Sequence, residues 1–244
     1  MKKVVYTCIT GAYDTLRQPL ATRPDWDYIC FTDKPGGKRD GVWQVHPVPM
    51  AAGSPKVRSA CVKLLPHKVL PEYDASLFMD ANLQIASDVF YDKVEERLSS
   101  ENTKVWMVPH SSRDCIYDEA SACFDSSLAG FCDILRLRRQ LRRDGIPRHL
   151  GLYETNIVLR RHTDPAVIAV DEAWWKAFSE SIHRDQLSAT AVLYKAGMKA
   201  DLLFGPGLNA RNVEFVKYYP HAGKRPHRTG LPRPLRKFLL LFLR

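Results

Sequence analysis

Leu77-Phe78-Met79-Asp80-Ala81-Asn82 is the stretch on which the reading of this chain turns. Three large apolar residues make a compact buried strand, and the chain turns polar at once, so an acid and an amide two residues apart stand at a strand end. Both carry oxygen ligands that suit one hard cation, Mg²⁺ or Mn²⁺. The same residues also read as a strand followed by a plain polar turn, and alone they do not separate the two. Leu83-Gln84-Ile85 continues the apolar pattern. Ser87 then offers a cap for a helix through about Leu98, in which Val89, Phe90, Val94 and Leu98 share a face.

Upstream, a strand over Lys3 to Ile9 ends in Thr10-Gly11-Ala12-Tyr13-Asp14, and a second over Asp27 to Phe31 ends in Thr32-Asp33 before a Lys34-Pro35-Gly36-Gly37 turn. From Lys56 to Val69, Val57, Cys61, Leu64 and Leu65 recur at helical spacing until Pro66 bends or ends the pattern, and Arg58 and Lys63 fall off that face. Downstream, Lys104 to Val108 reads as a strand and Asp118 to Arg143 as helical, broken by Gly145-Ile146-Pro147. Tyr153 to Leu159 returns as a strand and Asp171 to Ser179 as a helix. Asp185 to Ala196 has Leu187, Ala191 and Tyr194 at helical spacing with Gly197 as its cap, before the apolar segment Ala200 to Phe204. Strands alternate with helices and no internal repeat is visible. The expectation is one α/β domain over 1–223, with a mixed, mostly parallel sheet flanked by helices and ligands at the carboxyl ends of its strands.

The 244 residues are 45% apolar and 26% charged, an ordinary globular composition. The net charge of +9 is uneven: Lys224, Arg225, Arg228, Arg233, Arg236, Lys237 and Arg244 fall in the last stretch with no acid, and a second basic run spans Arg136 to Arg148. Excess charge confined in this way disfavours a surface built for nucleic acid. The apolar stretch after Met1-Lys2-Lys3 is too short for a signal peptide, so the body is expected in the cytoplasm. Cys8, Cys30, Cys61, Cys115, Cys123 and Cys132 form no CxxC pair, which fits reduced, mostly buried thiols. No run reaches the roughly 20 apolar residues of a membrane span.

Gly11-Ala12-Tyr13-Asp14, Trp26 to Asp33, Lys63-Leu64-Leu65-Pro66-His67-Lys68, Asp80-Ala81-Asn82, Arg113 to Glu119, Gly151-Leu152-Tyr153-Glu154 and Arg184 to Ser188 follow one another in an order that resembles a glycosyltransferase-like family long catalogued as domain of unknown function family 616. The resemblance covers Tyr6 to about Tyr194. That family is similar to the glycogenin-like retaining transferases of glycosyltransferase family 8, so the resemblance implies a GT-A-like, Rossmann-like fold: a single nucleotide-sugar-binding α/β domain with a metal-binding Asp-x-Asp motif. It places Asp80 and Asn82 as metal ligands on the donor diphosphate. Asn in place of the second Asp keeps a carbonyl oxygen and removes a negative charge, leaving the site more dependent on the nucleotide. His221-Ala222-Gly223-Lys224-Arg225 looks like a compressed His-x-Gly-x-x-Lys motif, which implies His221 as the third ligand and Lys224 on the diphosphate, with His227 as a rival to His221.

A nucleotide pocket needs groups for base, ribose and phosphates, and the first two strand ends offer Thr7, Gly11, Tyr13 and Asp33. Gly11 allows close backbone approach, Tyr13 can stack on the base or sit in the core, and Asp33 can accept from a base N–H or a ribose hydroxyl. By the resemblance Arg58 and Lys63 reach the nucleotide; otherwise they are the solvated face of their helix. Asp185-Gln186 resembles the pair that faces the sugar in glycogenin-like enzymes, although Asp185 also makes sense as a helix cap. Glu154 and Asn156 match the substrate-side segment. Retention follows by analogy, and with inversion Asp185 or Glu154 becomes the general base.

His110, Arg113, Asp114, Tyr117 and Glu119 form the densest polar cluster, either a loop over substrate or a staple between strand and helix. His67 leans towards a structural role. The tail, 224–244, mixes its cations with Leu231, Leu235 and the run Phe238 to Leu243, and suits either an anionic membrane surface or a docked helix. The expectation is a metal-dependent transferase moving a sugar from a nucleotide-diphosphate sugar, a UDP-sugar first, to a glycan or glycolipid acceptor of bacterial surface type, at the inner face of the membrane. The alternatives are a sugar nucleotidyltransferase and a catalytically silent membrane- or nucleic-acid-binding protein on the same fold.

Overall fold

The computed structural model describes residues 1–223 and 231–243. The first strands are β1 (Lys3–Ile9), β2 (Trp26–Thr32), β3 (Arg39–Asp40) and β4 (Trp43–Pro47), followed by helices α1 (Pro55–Leu64) and α2 (Pro66–Val69). Then come β5 (Ala75–Met79), β6 (Leu83–Ile85), α3 (Val89–Leu98), β7 (Val105–Pro109), α4 (Ile116–Asp125), α5 (Phe131–Arg143) and β8 (Tyr153–Arg160). The chain ends with α6 (Pro165–Ser179), α7 (Ala189–Lys195), β9 (Asp201–Leu202), β10 (Val216–Tyr218) and α8 (Arg233–Leu240).

Eight strands form one sheet in the order β3-β4-β2-β1-β5-β8-β7-β9, and β6 pairs with β10 in a small second sheet. β4, β2, β1 and β5 are parallel neighbours, β8 runs antiparallel between β5 and β7, and β9 is parallel to β7. The sheet is mixed and mostly parallel, flanked by helices, as the alternation of strand and helix patterns predicts. The reversal of β8 has a consequence for the site. Its first residues, not its last, lie at the carboxyl ends of β5 and β7: Glu154 is opposite Val108, and the Asn156 carbonyl accepts from Asp80 N at 2.9 Å.

Alternation along β1 sends Val4, Tyr6 and Cys8 into one core with α1, α6 and α7, and Val5 into another with α3. A third core lies between α4 and α5 and takes in Leu187, Ala191 and Leu243. Arg160 and Asp171, 0% and 1% exposed, pair at 2.7 Å inside the first core. Arg160 also donates to the Lys63 carbonyl at 2.5 Å and to the Tyr6 hydroxyl at 3.0 Å, and that hydroxyl donates to the same carbonyl. The last turn of α1 is thereby pinned to β1, β8 and α6.

Several local expectations shift. Pro66 does separate α1 from α2. The pattern over Asp118 to Arg143 is two helices, because Ser127 takes a positive φ of 56° and Gly130 starts a new turn. Asp88, not Ser87, precedes α3. α6 starts earlier than its apolar pattern suggests, where Asp164 accepts from Ala166 N ahead of Pro165. All six cysteines are free thiols, and Cys132 alone among them is exposed. No helix among the described residues is long and apolar enough to cross a membrane.

Candidate active site

The carboxyl ends of β1 and β5, the start of α1 and the start of β8 surround a cavity of about 790 Å³, a size that suits a nucleotide-sugar-sized ligand. Thr10 and Gly11 close one side. Gly11 has φ +64°, and a Cβ there would lie 3.0 Å from Pro55, so only glycine lets this turn press on the helix start. Ser54 caps α1 by accepting from Val57 N, and Ser54, Pro55, Lys56, Ser59 and Lys63 line the cavity. With no acid in its first turn, α1 presents a partly positive end to this space.

Lys63 is 6% exposed and is the hub of the site, not part of a solvated face. Its ammonium donates to Asp185 and, at 3.1 Å, to the Thr155 hydroxyl, which donates to Asp185 at 2.7 Å. Burial works against a charged Asp185, but Lys63 and the Thr155 hydroxyl outweigh it and hold the carboxyl well below the usual range. Asp185 therefore does not act as a helix cap; it opens a short 3-10 turn over Asp185–Leu187 with its side chain turned to Lys63. Asp80 lies 3.9 Å from the same ammonium. Burial pushes its carboxyl up to about 6, helped by the negative charges of Asp185 and Asp14 and opposed by Lys63 and His221.

Asn82 donates its amide to the Tyr219 carbonyl at 2.8 Å, which leaves Oδ1 buried with no hydrogen-bond partner. A buried oxygen without a hydrogen-bond partner, two residues along the chain from a carboxylate, has lone pairs that suit a hard cation. His221 Nδ1 lies 2.9 Å from Asp14 Oδ2, and Ala222 N donates to the other Asp14 oxygen. A proton held on Nδ1 by Asp14 leaves Nε2 as the free nitrogen. The ring of Tyr13 packs 4.9 Å from that of His221, and Gly223 N donates to the Tyr13 carbonyl at 2.8 Å. Asp80, Asn82 and His221 all line the cavity, and their carboxylate, amide oxygen and imidazole fit Mn²⁺ or Mg²⁺. A separate cluster, Cys115, Asp118 and His149, brings its ligand atoms within 4.8 Å of one another, but Asp118 is taken by Arg148 at 3.0 Å and His149 by Asp114 at 2.9 Å.

Gly11, Tyr13, Lys63, Asp80, Asn82, Glu154, Asn156, Asp185, Gln186 and His221 thus face one cavity. Thr7 does not: it is 2% exposed and borders a smaller void beside Arg17 and Trp43. Asp33 accepts from Gly11 N at 2.9 Å and from Arg58 at 2.7 Å, so this pair braces the Gly11 turn from behind and neither residue lines the cavity. Lys224 and His227 lie outside the described residues. Glu154 accepts from Ser111 N, from Asn156 Nδ2 at 3.0 Å and from Arg211. Asp14, Thr155, Arg184 and Arg211 are cavity residues that the sequence reading did not select. Asp14 stands in a matched segment, whereas Arg211 lies in a loop without periodicity or motif to mark it.

The polar cluster is both wall and staple. His110, Arg113 and Glu119 line the cavity, while His110 Nδ1 accepts from Ser112 N and Arg113 N and Arg113 donates to Glu119 at 2.6 Å. Despite burial, His110 and Arg113 draw the Glu119 carboxyl down to about 2. Tyr117 is buried with its hydroxyl on the Ile146 carbonyl, and His67 meets Glu172 between α2 and α6; both are structural contacts.

A sequence profile described as "TOD1/MUCI70, glycosyltransferase-like domain" matches residues 31–221. No curated protein matches the chain. Among solved structures, mouse xyloside xylosyltransferase 1 in its apo form superposes with a TM-score of 0.44 at 10% identity, over 79% of this chain and 80% of that one. The apo structure of WbbM, a bifunctional glycosyltransferase, superposes with a TM-score of 0.45 at 8% identity over 82% of this chain, which spans 38% of that protein.

Proposed function

Because the chain belongs to the TOD1/MUCI70 glycosyltransferase-like domain family, we propose that it transfers a sugar from a nucleotide-diphosphate sugar, a UDP-sugar in the first instance, to a glycan or glycolipid acceptor. The observation that carries this reading is the meeting of Asp80, the orphaned Asn82 oxygen, His221 and the Lys63–Asp185 pair on one cavity at the carboxyl ends of β1 and β5. Asp80, Asn82 Oδ1 and His221 would hold Mn²⁺ or Mg²⁺, with Asp14 fixing the imidazole. Such an ion would supply positive charge opposite the departing diphosphate. The α1 N-terminus adds to the attraction for phosphate. Gly11 allows the nucleotide to approach the backbone, with Tyr13 at its border, and Asp33 and Arg58 keep that turn in shape.

At the sugar end, Glu154, Asn156, Asp185 and Gln186 bind hydroxyls. Asp185 is held charged by Lys63 and Thr155, and Glu154 already accepts from three donors, so neither carboxylate is poised to take a proton from an acceptor. That favours retention, in which the leaving phosphate oxygen removes the acceptor proton. A thermal-shift panel of UDP, GDP, CMP and dTDP, free and sugar-linked, with and without Mn²⁺, tests the donor site. One nucleotide class should raise the melting temperature only with metal, and Asp80→Ala should abolish that shift in a folded protein. An absence of any shift in the wild type would move the assignment to a silent binding protein.

A further inference from the structure

We propose that the outer face of α8 seats this protein on an anionic lipid bilayer. The helix has two apolar faces with different fates. Leu239 and Leu240, with Leu231, pack against the third core, and Leu243 is 2% exposed within it. Polar contacts hold the same side: Ser121 donates to the Leu243 carbonyl at 3.4 Å, and Arg236 donates to the Ser127 hydroxyl. The helix is therefore anchored without any use of its other face.

The outward side of α8 and of the 3-10 turn that follows it (Leu241–Leu243) carries Leu235, Phe238, Leu241 and Phe242, which are 43%, 56%, 56% and 62% exposed. Phe238 and Phe242 meet edge to face at 5.5 Å, so the side chains form a patch and are not scattered singly. Arg233 and Lys237 are exposed on the same helix, and the chain contains no acid after Glu214. Apolar bulk next to the exposed cations of the same helix matches the two layers of an anionic membrane surface, acyl boundary and headgroup charge. A second copy is a poorer occupant. An isologous contact of two such faces would set Arg233 and Lys237 against their own like charges with no carboxylate on the helix to pair them.

The placement also bears on the acceptor, a consequence that rests on the transferase reading. Ser127 holds α8, while its neighbours Ser126 and Leu128 line the cavity wall. A membrane seated on α8 would thus lie against the α4–α5 side of the cavity, where a lipid-linked acceptor would arrive.

Vesicle flotation tests the proposal without any nucleotide, so its failure is separable from failure of the donor site. Wild-type protein should float with phosphatidylcholine vesicles containing about 30 mol % phosphatidylglycerol and bind neutral phosphatidylcholine vesicles at least about tenfold more weakly, with added salt reducing binding. Phe238→Ser combined with Phe242→Ser should lose at least about tenfold in binding with an unchanged melting temperature, and Arg233→Glu with Lys237→Glu should lose the preference for anionic lipid. Wild-type protein that floats with neither vesicle, or a Phe238/Phe242 variant that floats as well as wild type, overturns the proposal. So does a wild-type dimer in solution that the Phe238/Phe242 variant converts to monomer.

Discussion

Two carboxylates within reach of one ammonium group, Asp80 and Asp185 beside Lys63, end with opposite proton affinities. Asp185 makes the direct contact and stays charged, whereas Asp80, further from Lys63 and nearer to other negative charge, is pushed up to about 6 from an ordinary 3.8. A raised carboxyl in the fold means that the charged form is penalised there: the cost is absent below about pH 3.8 and fully present above about pH 6. Asp80→Asn should therefore raise the melting temperature of the ligand-free protein at pH 8, by about 2–4 °C for a gain of about 1 kcal/mol once its partial exposure is discounted, and leave it unchanged at pH 3.5. Equal shifts at both values would show that the charge of Asp80 is not the cause. Glu154→Gln tests the other carboxylate. With Glu154 already taken by Ser111 N, Asn156 and Arg211, turnover should stay within about tenfold of wild type. A loss of about a hundredfold or more, with an inverted product by NMR, would make it a general base. Such pairings are invisible in a one-dimensional reading, which marked Asp185 and Lys63 but had no means of joining residues so far apart in the chain.

Among the elements, α1 shows how much local spacing decides. Cys61 and Leu64, with half-buried Val57, lie on its core side and Pro66 ends it, as the periodicity predicts, whereas Lys63 is buried although the same pattern puts it off that face. Its last turn owes its position to distant partners, since the Lys63 carbonyl accepts from both Arg160 and Tyr6. Asp171→Ala should leave Arg160 buried without a counter-charge and destabilise the fold by about 3–5 kcal/mol, measured by urea unfolding. The Arg160→Met, Asp171→Leu double variant should recover much of that loss, but with a disordered Lys63 and a weaker nucleotide shift; recovery of both would mean that the pair does not position α1. The break between α4 and α5 was not legible, because Ser126 to Gly130 interrupts a pattern whose apolar residues on both sides keep helical spacing. β3, β4 and β10 escaped for another reason: β3 buries none of its residues and β4 and β10 bury only their first, so no apolar pattern marks them.

For the molecule as a whole, three cores divide the work. Two sandwich the sheet, and the third joins α4, α5 and the docked side of α8. Removing residues 231–244 should speed amide exchange over residues 116–143 while leaving β1 as protected as before; equally faster exchange in both would show one cooperative unit. The sequence alone determined the alternation of strands and helices, the strand ends near Gly11 and Asp80, and a set of polar residues that share the cavity, because these follow from spacings of two and of three to four residues and from motifs that survive without neighbours. Only tertiary structure decided that β8 runs backwards and so delivers Glu154 to Asn156 to the same end as Asp80, that Thr7 and Arg58 stay out of the cavity, and that Arg211 and Asp14 enter it. Strand direction, strand order and ion pairing across the chain depend on how distant segments bury against one another, and no local pattern encodes that choice.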